Sequence, residues 1–335
     1  MNLTVIGAGA WGSALADLAG RCGHDVLLWS FEPEVAQAVE TTHTNPLYLP
    51  TVRFPDRVHG TSDLAEAAAF SATLLMVTPS HHYREILSRM LPDLPERVRV
   101  VSATKGIENA SLQRMSEVTR EVLSGRLAAF SALSGPTFAL EVSRRDPTAA
   151  VVASGDEKFA VELQNALSCE TFRLYRSDDV VGTELGGSLK NVIAIAAGAL
   201  EGLGLGFNTL AALITRGLHE VRRLGVALGG RPETFAGLAG MGDLVLTCTG
   251  SLSRNRAVGV ALGRGRQLEE ILGETREVAE GVKTCRSAHD LARRFGVEMP
   301  ITEAMFRVLY EGESPDTAIR QLMSRALKAE IEPGR

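Results

Sequence analysis

The twelve residues at the amino end constrain the fold more than any other stretch. Leu3-Thr4-Val5-Ile6 is an apolar run of strand character that leads straight into Gly7-Ala8-Gly9-Ala10-Trp11-Gly12. A helix-like segment, Ser13 to Cys22, follows. In such a strand–turn–helix unit Gly7 permits the tight turn and Gly9 lets the backbone approach a pyrophosphate. Gly12 lets the helix lie close to the sheet. The free N–H groups and positive dipole end at the start of the helix then face the phosphates. Glycine-rich turns are common, so the spacing alone says little. With a strand before it and a helix after it, the spacing predicts a dinucleotide site.

The alternation continues. Strand-like runs at Asp25–Trp29, Leu74–Val77, Val98–Ala103, Ala128–Leu133, Thr148–Ala153 and Phe172–Tyr175 are separated by helical patterns at 83–91, 112–123 and 159–167. That order predicts an α/β domain with a Rossmann-type, doubly wound, mainly parallel sheet. Ligands of such sheets bind beyond the carboxyl ends of the strands. The polar and glycine residues there are Thr78-Pro79-Ser80, Thr104-Lys105-Gly106 and Ser134-Gly135-Pro136-Thr137, so they are site candidates by position. After about Asp179 strand-like runs cease and helical periodicity takes over, which predicts an all-α second domain. The expected division is 1–179 and 180–335, with the two halves packed directly and a cleft between them. A chain of 335 residues is also longer than one ordinary core accommodates.

Composition narrows the function classes. The net charge is −5, with no basic block or aromatic-interleaved basic patch, which argues against a nucleic-acid partner. The chain enters a strand at once, without a basic n-region or cleavage site, and Val192–Leu200 is too short to span a bilayer. A cytoplasmic protein with that stretch as a buried core helix is expected. Cys22, Cys169, Cys248 and Cys285 lack metal spacing and read as small buried hydrophobes in a reducing compartment. The seven histidines form no metal motif, and adjacent His81-His82 on a loop would point apart, so no metal is expected.

A nicotinamide enzyme needs a proton donor and acceptor beside the carbon that exchanges hydride. Lys190, within Gly186-Gly187-Ser188-Leu189-Lys190-Asn191, is the best candidate. Apolar surroundings would disfavour its ammonium and lower its pKa. A lysine snorkelling from the edge of a buried helix fits the spacing equally well. Ser253-Arg254-Asn255 places hydroxyl, guanidinium and amide donors at a helix start, which suits an anion. An ordinary serine N-cap beside a solvated arginine is the commoner outcome. Asp243, in the glycine-rich Gly240-Met241-Gly242-Asp243-Leu244, would orient Lys190 or a substrate hydroxyl, or simply cap backbone N–H groups. Lys105 and Thr137, taken singly, read slightly better as a surface lysine and a helix opener.

Together these segments resemble the bacterial-type NAD(P)-dependent glycerol-3-phosphate dehydrogenase family. The resemblance runs from residue 3 to about 325, through Gly7–Gly12, Ala103–Gly106, Ser134–Ala139, Gly187–Val192, Leu213–Gly217, Gly242–Leu244, Ser253–Asn255 and Val297–Thr302. It implies reversible conversion of dihydroxyacetone phosphate to sn-glycerol 3-phosphate, a phospholipid precursor, with NAD or NADP as cofactor and a homodimer as the assembly. It implies Lys190 as general acid/base, with Lys105, Gly135, Thr137, Asp243, Ser253, Arg254 and Asn255 around the substrate. Gly7, Gly9, Ala10, Trp11, Gly12, Phe31, Lys105, Ala139, Arg254, Val278 and Glu280 would meet the cofactor.

Two departures matter. Relatives often carry a basic or polar residue after the second strand, where this chain has Ser30-Phe31 with Glu32 next. Neither a clear ribose carboxylate nor a clear phosphate-binding arginine stands out, so the choice between NAD and NADP stays open. Leu210 occupies a position that is often basic. Two other readings compete: another two-domain nicotinamide-dependent hydroxyacid or hydroxyacyl dehydrogenase, and a dinucleotide sensor without turnover.

Overall fold

The computed structural model describes residues 1–274, 279–327 and 329–330. The chain opens with β1 (Asn2–Ile6), α1 (Ala10–Arg21), β2 (Asp25–Trp29), α2 (Pro33–Thr42), β3 (Thr44–Asn45), β4 (Leu49–Arg53) and β5 (Val58–Thr61). It continues with α3 (Leu64–Phe70), β6 (Thr73–Met76), α4 (Ser80–Met90), β7 (Val98–Ser102), α5 (Met115–Leu123) and β8 (Leu127–Ser134). Then come α6 (Ala139–Ser143), β9 (Thr148–Ala153), α7 (Glu157–Leu167) and β10 (Phe172–Ser177). The eight-stranded sheet has the order β10-β9-β8-β7-β6-β1-β2-β5. In β1, Leu3 through Ile6 are all buried, as expected of a strand covered on both faces. One apolar cluster joins α1 and α7 to the sheet, and another joins it to α3, α4 and α5.

Every neighbouring pair in that sheet is parallel except β8 with β9, which pair antiparallel through Ala132–Ala153, Leu133–Val152 and Ser134–Val151. The carboxyl ends of β1, β2, β6, β7 and β8 therefore open on one side, while β9 and β10 end on the other.

All-helical structure follows: α8 (Val180–Gly202), α9 (Phe207–Ala227), α10 (Pro232–Ala236), a π-helical turn at Leu238–Gly242, α11 (Asp243–Thr249) and α12 (Arg254–Gly263). The last elements are α13 (Leu268–Gly273), α14 (Glu280–Phe295), α15 (Pro300–Tyr310) and α16 (Pro315–Met323). Helix α8 begins where it does because Asp179 caps it, accepting Gly182 N–H at 2.8 Å while its other oxygen accepts Arg231 N–H at 2.8 Å. Its residues 182–200 are buried, so Val192–Leu200 is part of one core helix rather than a separate segment. Glu184 ties it to α5, accepting Ser116 N–H at 2.7 Å and the Arg114 guanidinium at 2.9 Å. Burial raises the Glu184 carboxyl above its ordinary range, against the pull of Arg114. Among the described residues no helix is long and apolar enough to cross a membrane.

Several expectations need correction. Leu112 lies outside α5, at φ +61° in a loop bridged by Ile107 and Arg114, where Glu108 N–H donates to Gln113 O at 2.9 Å and Leu112 N–H to Glu108 O at 2.8 Å. β3, β4 and β5 had no sequence signal, being short and interrupted by polar residues or proline. His81 and His82 stand in the first turn of α4 rather than on a loop, with ring centroids 4.0 Å apart. Cys169 is exposed and Cys22 only half-buried, whereas Cys248 and Cys285 are buried as expected.

Candidate active site

Gly7 adopts φ +114°, a left-handed conformation that an L side chain resists, and its N–H donates to Trp29 O at 3.1 Å. An added Cβ at Gly12 would run into the Gly7 carbonyl, whereas one at Gly9 would meet no protein atom within 4 Å. The glycine turn thus packs inward at Gly7 and Gly12 and is open at Gly9. Gly9 is also the N-cap of α1, with no side-chain cap on the first N–H groups. Around this crevice the Trp11 indole N–H, the Thr78 hydroxyl and His81 Nδ1 are shielded from solvent without a hydrogen-bond partner. The open side of the turn at Gly9, backed by the uncapped N–H groups of α1, fits a dinucleotide. Ala10 and Trp11 are the first residues of α1, and Phe31 projects at the end of β2, 76% exposed.

The strongest electrostatic feature lies at the ends of β7 and β8, where α8 crosses them. The crossing is close because Gly187 has no side chain: a Cβ there would strike the Ser134 hydroxyl and approach Lys105 Cγ at 3.7 Å. One turn on, Lys190 extends to Asp243, with which it forms an ion pair, and donates to Thr247 Oγ1 at 2.8 Å. The other Asp243 oxygen accepts from Lys105 Nζ at 2.7 Å, and Lys105 also donates to Gly135 O at 3.1 Å. One buried carboxylate therefore holds two ammonium groups. Burial pushes the Lys190 ammonium down from 10.5 to about 7; Asp243 opposes this shift and the charge of Lys105 adds to it. A group poised near neutrality can both give and take a proton.

Asp243 does not cap a turn. It opens α11 and spends both oxygens on lysines, while Thr247, one turn later, donates to the Asp243 carbonyl at 2.6 Å. Sequence reasoning missed Thr247, although its i, i+4 spacing from Asp243 was a usable signal. The Thr137 hydroxyl donates to Gly135 O at 3.2 Å, and Ala139 starts α6.

Ser253 is the N-cap of α12, its hydroxyl accepting Arg256 N–H at 3.2 Å. Asn255 Oδ1 accepts Gly281 N–H at 2.9 Å, and the Gly281 backbone sits against Asn191 O, next along α8 from Lys190. Glu280 reaches across to the α/β domain and accepts Ser80 N–H at 3.1 Å and the Ser80 hydroxyl at 2.8 Å. Burial raises its carboxyl above the ordinary range, against these bonds and the charge of Arg254. Ser253 and Asn255 are thus engaged with the backbone N–H groups of Arg256 in α12 and Gly281 in α14, not with the lysines. Val278 lies outside the described residues.

Residues 2–160 match the model of the NAD-dependent glycerol-3-phosphate dehydrogenase N-terminus, and residues 179–320 that of its C-terminus. Relatives named glycerol-3-phosphate dehydrogenase [NAD(P)+] from Citrifermentans bemidjiense and Syntrophotalea carbinolica are 53% and 54% identical, over 98% of both chains and over 99% and 100% respectively. The chain belongs to the NAD-dependent glycerol-3-phosphate dehydrogenase family. A crystal structure of glycerol-3-phosphate dehydrogenase from Coxiella burnetii has a TM-score of 0.93 at 40% identity, over 97% of this chain and 99% of that one. D-mandelate dehydrogenase, at 12% identity and a TM-score of 0.61, shares the fold alone. The hydroxyacid-dehydrogenase reading thus has a likeness of architecture, whereas the glycerol-3-phosphate dehydrogenase family matches along the whole length.

Proposed function

We propose that this chain catalyses the reversible conversion of dihydroxyacetone phosphate to sn-glycerol 3-phosphate with NAD(P)H, supplying the glycerol backbone of phospholipids, and that Lys190 is its general acid/base. The observation that carries the reading is the buried Lys190–Asp243–Lys105 cluster beside the open glycine turn. A nicotinamide, when bound, supplies or accepts the hydride at the carbonyl carbon. Gly7, Gly9, Ala10, Trp11 and Gly12 hold the pyrophosphate against the start of α1, and Phe31 offers its exposed ring to the adenine. Ala139, Arg254 and Glu280 complete the cofactor contacts.

Lys190 in its neutral form takes the C2 hydroxyl proton during oxidation, and as ammonium returns it to the oxygen during reduction. Asp243 and Thr247 aim its nitrogen. Lys105, charged and hydrogen-bonded to Gly135 O, stabilises negative charge developing on that oxygen. Gly135 and Thr137 position the substrate from the end of β8. Ser253, Arg254 and Asn255, at the start of the ten-residue α12, bind its phosphate. The same reading takes 1–179 and 180–335 as two domains meeting at this cluster, and the assembly as a cytoplasmic homodimer.

The test is oxidation of NADH, and separately NADPH, by purified protein with dihydroxyacetone phosphate, alongside Lys190→Ala. Turnover that the variant loses in kcat, with substrate binding largely kept, supports both parts. Cofactor binding without dihydroxyacetone phosphate-dependent oxidation overturns the assignment and returns the sensor reading.

A further inference from the structure

The end of β2 holds a carboxylate more firmly than its sequence suggests. The Ser30 hydroxyl donates to Glu32 Oε2 at 3.0 Å, and its oxygen accepts Glu32 N–H at 3.2 Å. The Tyr48 hydroxyl donates to Glu32 Oε1 at 2.8 Å. Each carboxylate oxygen is thus fixed by one neighbour. Tyr48 is in turn placed by Asn45, whose Oδ1 accepts Tyr48 N–H at 3.0 Å and whose Nδ2 donates to Ala8 O and Ser13 Oγ, both at 2.8 Å. Ser30 is wholly buried and its N–H donates to Thr61 O at 2.9 Å. The carboxylate is therefore registered to the glycine turn itself through Tyr48 and Asn45.

In a dinucleotide crevice the residues just past β2 meet the adenosine ribose: a carboxylate accepts its 2′-hydroxyl, whereas an arginine receives a 2′-phosphate. We propose that Glu32, held by Ser30 and Tyr48, makes this chain select NAD(H) over NADP(H). The proposal rests on the dinucleotide reading of the glycine turn given above. An ionised carboxylate has about four lone-pair sites, so with two bonds made it keeps acceptor capacity for a ribose hydroxyl. A 2′-phosphate brings negative charge and acceptors only. A free glutamate would swing aside to admit it, but Glu32 must break its bonds to Ser30 and Tyr48 first. Ser30 and Phe31 offer no compensating positive charge.

Titration of the purified protein with NADH and with NADPH, without substrate and followed by coenzyme fluorescence, reads the selectivity as a ratio of Kd values. NADH is expected to bind about 10- to 100-fold more tightly, the span that one hydrogen bond to a charged group covers. Glu32→Gln is expected to tighten NADPH binding and narrow the ratio. Tyr48→Phe, which keeps the charge but frees it, narrows the ratio less; melting curves show that both variants fold. NADPH binding as tightly as NADH to the wild type overturns the selectivity while leaving the dinucleotide site standing. An NADH preference that survives intact in Glu32→Gln overturns the role of Glu32. Binding of neither coenzyme overturns this inference together with the proposed function.

Discussion

Replacing Lys105 by methionine isolates the electrostatic part of the site. Lys105 and Lys190 grip opposite oxygens of Asp243, so in the wild type the carboxylate is shared between two positive charges. Ammonium nitrogens so placed are about 5 Å apart, where unit charges at an effective dielectric of about 20 repel by about 3 kcal/mol. That energy corresponds to about 2 pH units on Lys190. The variant removes the repulsion and leaves Asp243 to Lys190 alone. Both changes favour the ammonium, so the Lys190 pKa rises from its wild-type value of about 7. Water entering the shortened site screens part of the effect, leaving an expected rise of about 1 to 2 units.

The assay is the pH dependence of kcat/KM for sn-glycerol 3-phosphate oxidation. The base form of Lys190 is required in that direction, so the rate climbs as pH rises through the pKa. Lys105→Met also weakens substrate binding, which lowers the whole curve without moving its inflection. The diagnostic quantity is therefore the position of the inflection. An inflection that stays in place or moves to lower pH refutes the shared-carboxylate reasoning, whatever happens to the amplitude.

Other perturbations separate the parts of the account. Thr247→Val removes the second acceptor of Lys190 but leaves Asp243, and kcat for either direction is expected to fall about tenfold with KM little changed, the worth of one hydrogen bond. Gly12→Ala drives a methyl group into the Gly7 carbonyl; the expected result is a loss of about 1–3 kcal/mol in a denaturation series and loss of NADH binding by titration.

The parts of the fold and site written in local sequence were legible, and the parts written in long-range pairing were not. The glycine turn announced itself because tight backbone packing demands glycine at Gly7 and Gly12. The change from strands to helices near Asp179 was readable because strand-like runs give way there to helical periodicity, and β10 ends at Ser177 with α8 starting at Val180. Lys190 stood level with a snorkelling lysine because its decisive partner, Asp243, is 53 residues away. No spacing rule links the two; Gly186, which has no Cβ to strike the Ala239 carbonyl, lets the π-helical turn before α11 lie against α8 and brings them together. Glu32 looked ambiguous because its fixed orientation depends on Tyr48, a residue in the β3–β4 segment that carried no strand signal. The reversed β9 was invisible too, because an apolar run has no direction until it pairs.

The measurement that bears most directly on Lys190 as proton donor and acceptor is a pair of pH–rate profiles, one per direction, for wild type and Lys190→Met. Oxidation of sn-glycerol 3-phosphate is predicted to rise with pH through about 7 and reduction of dihydroxyacetone phosphate to fall through the same value, because one needs the amine and the other the ammonium. In Lys190→Met the residual rates in both directions lose that inflection. The same inflections persisting in the variant would assign the titrating group elsewhere and contradict the account.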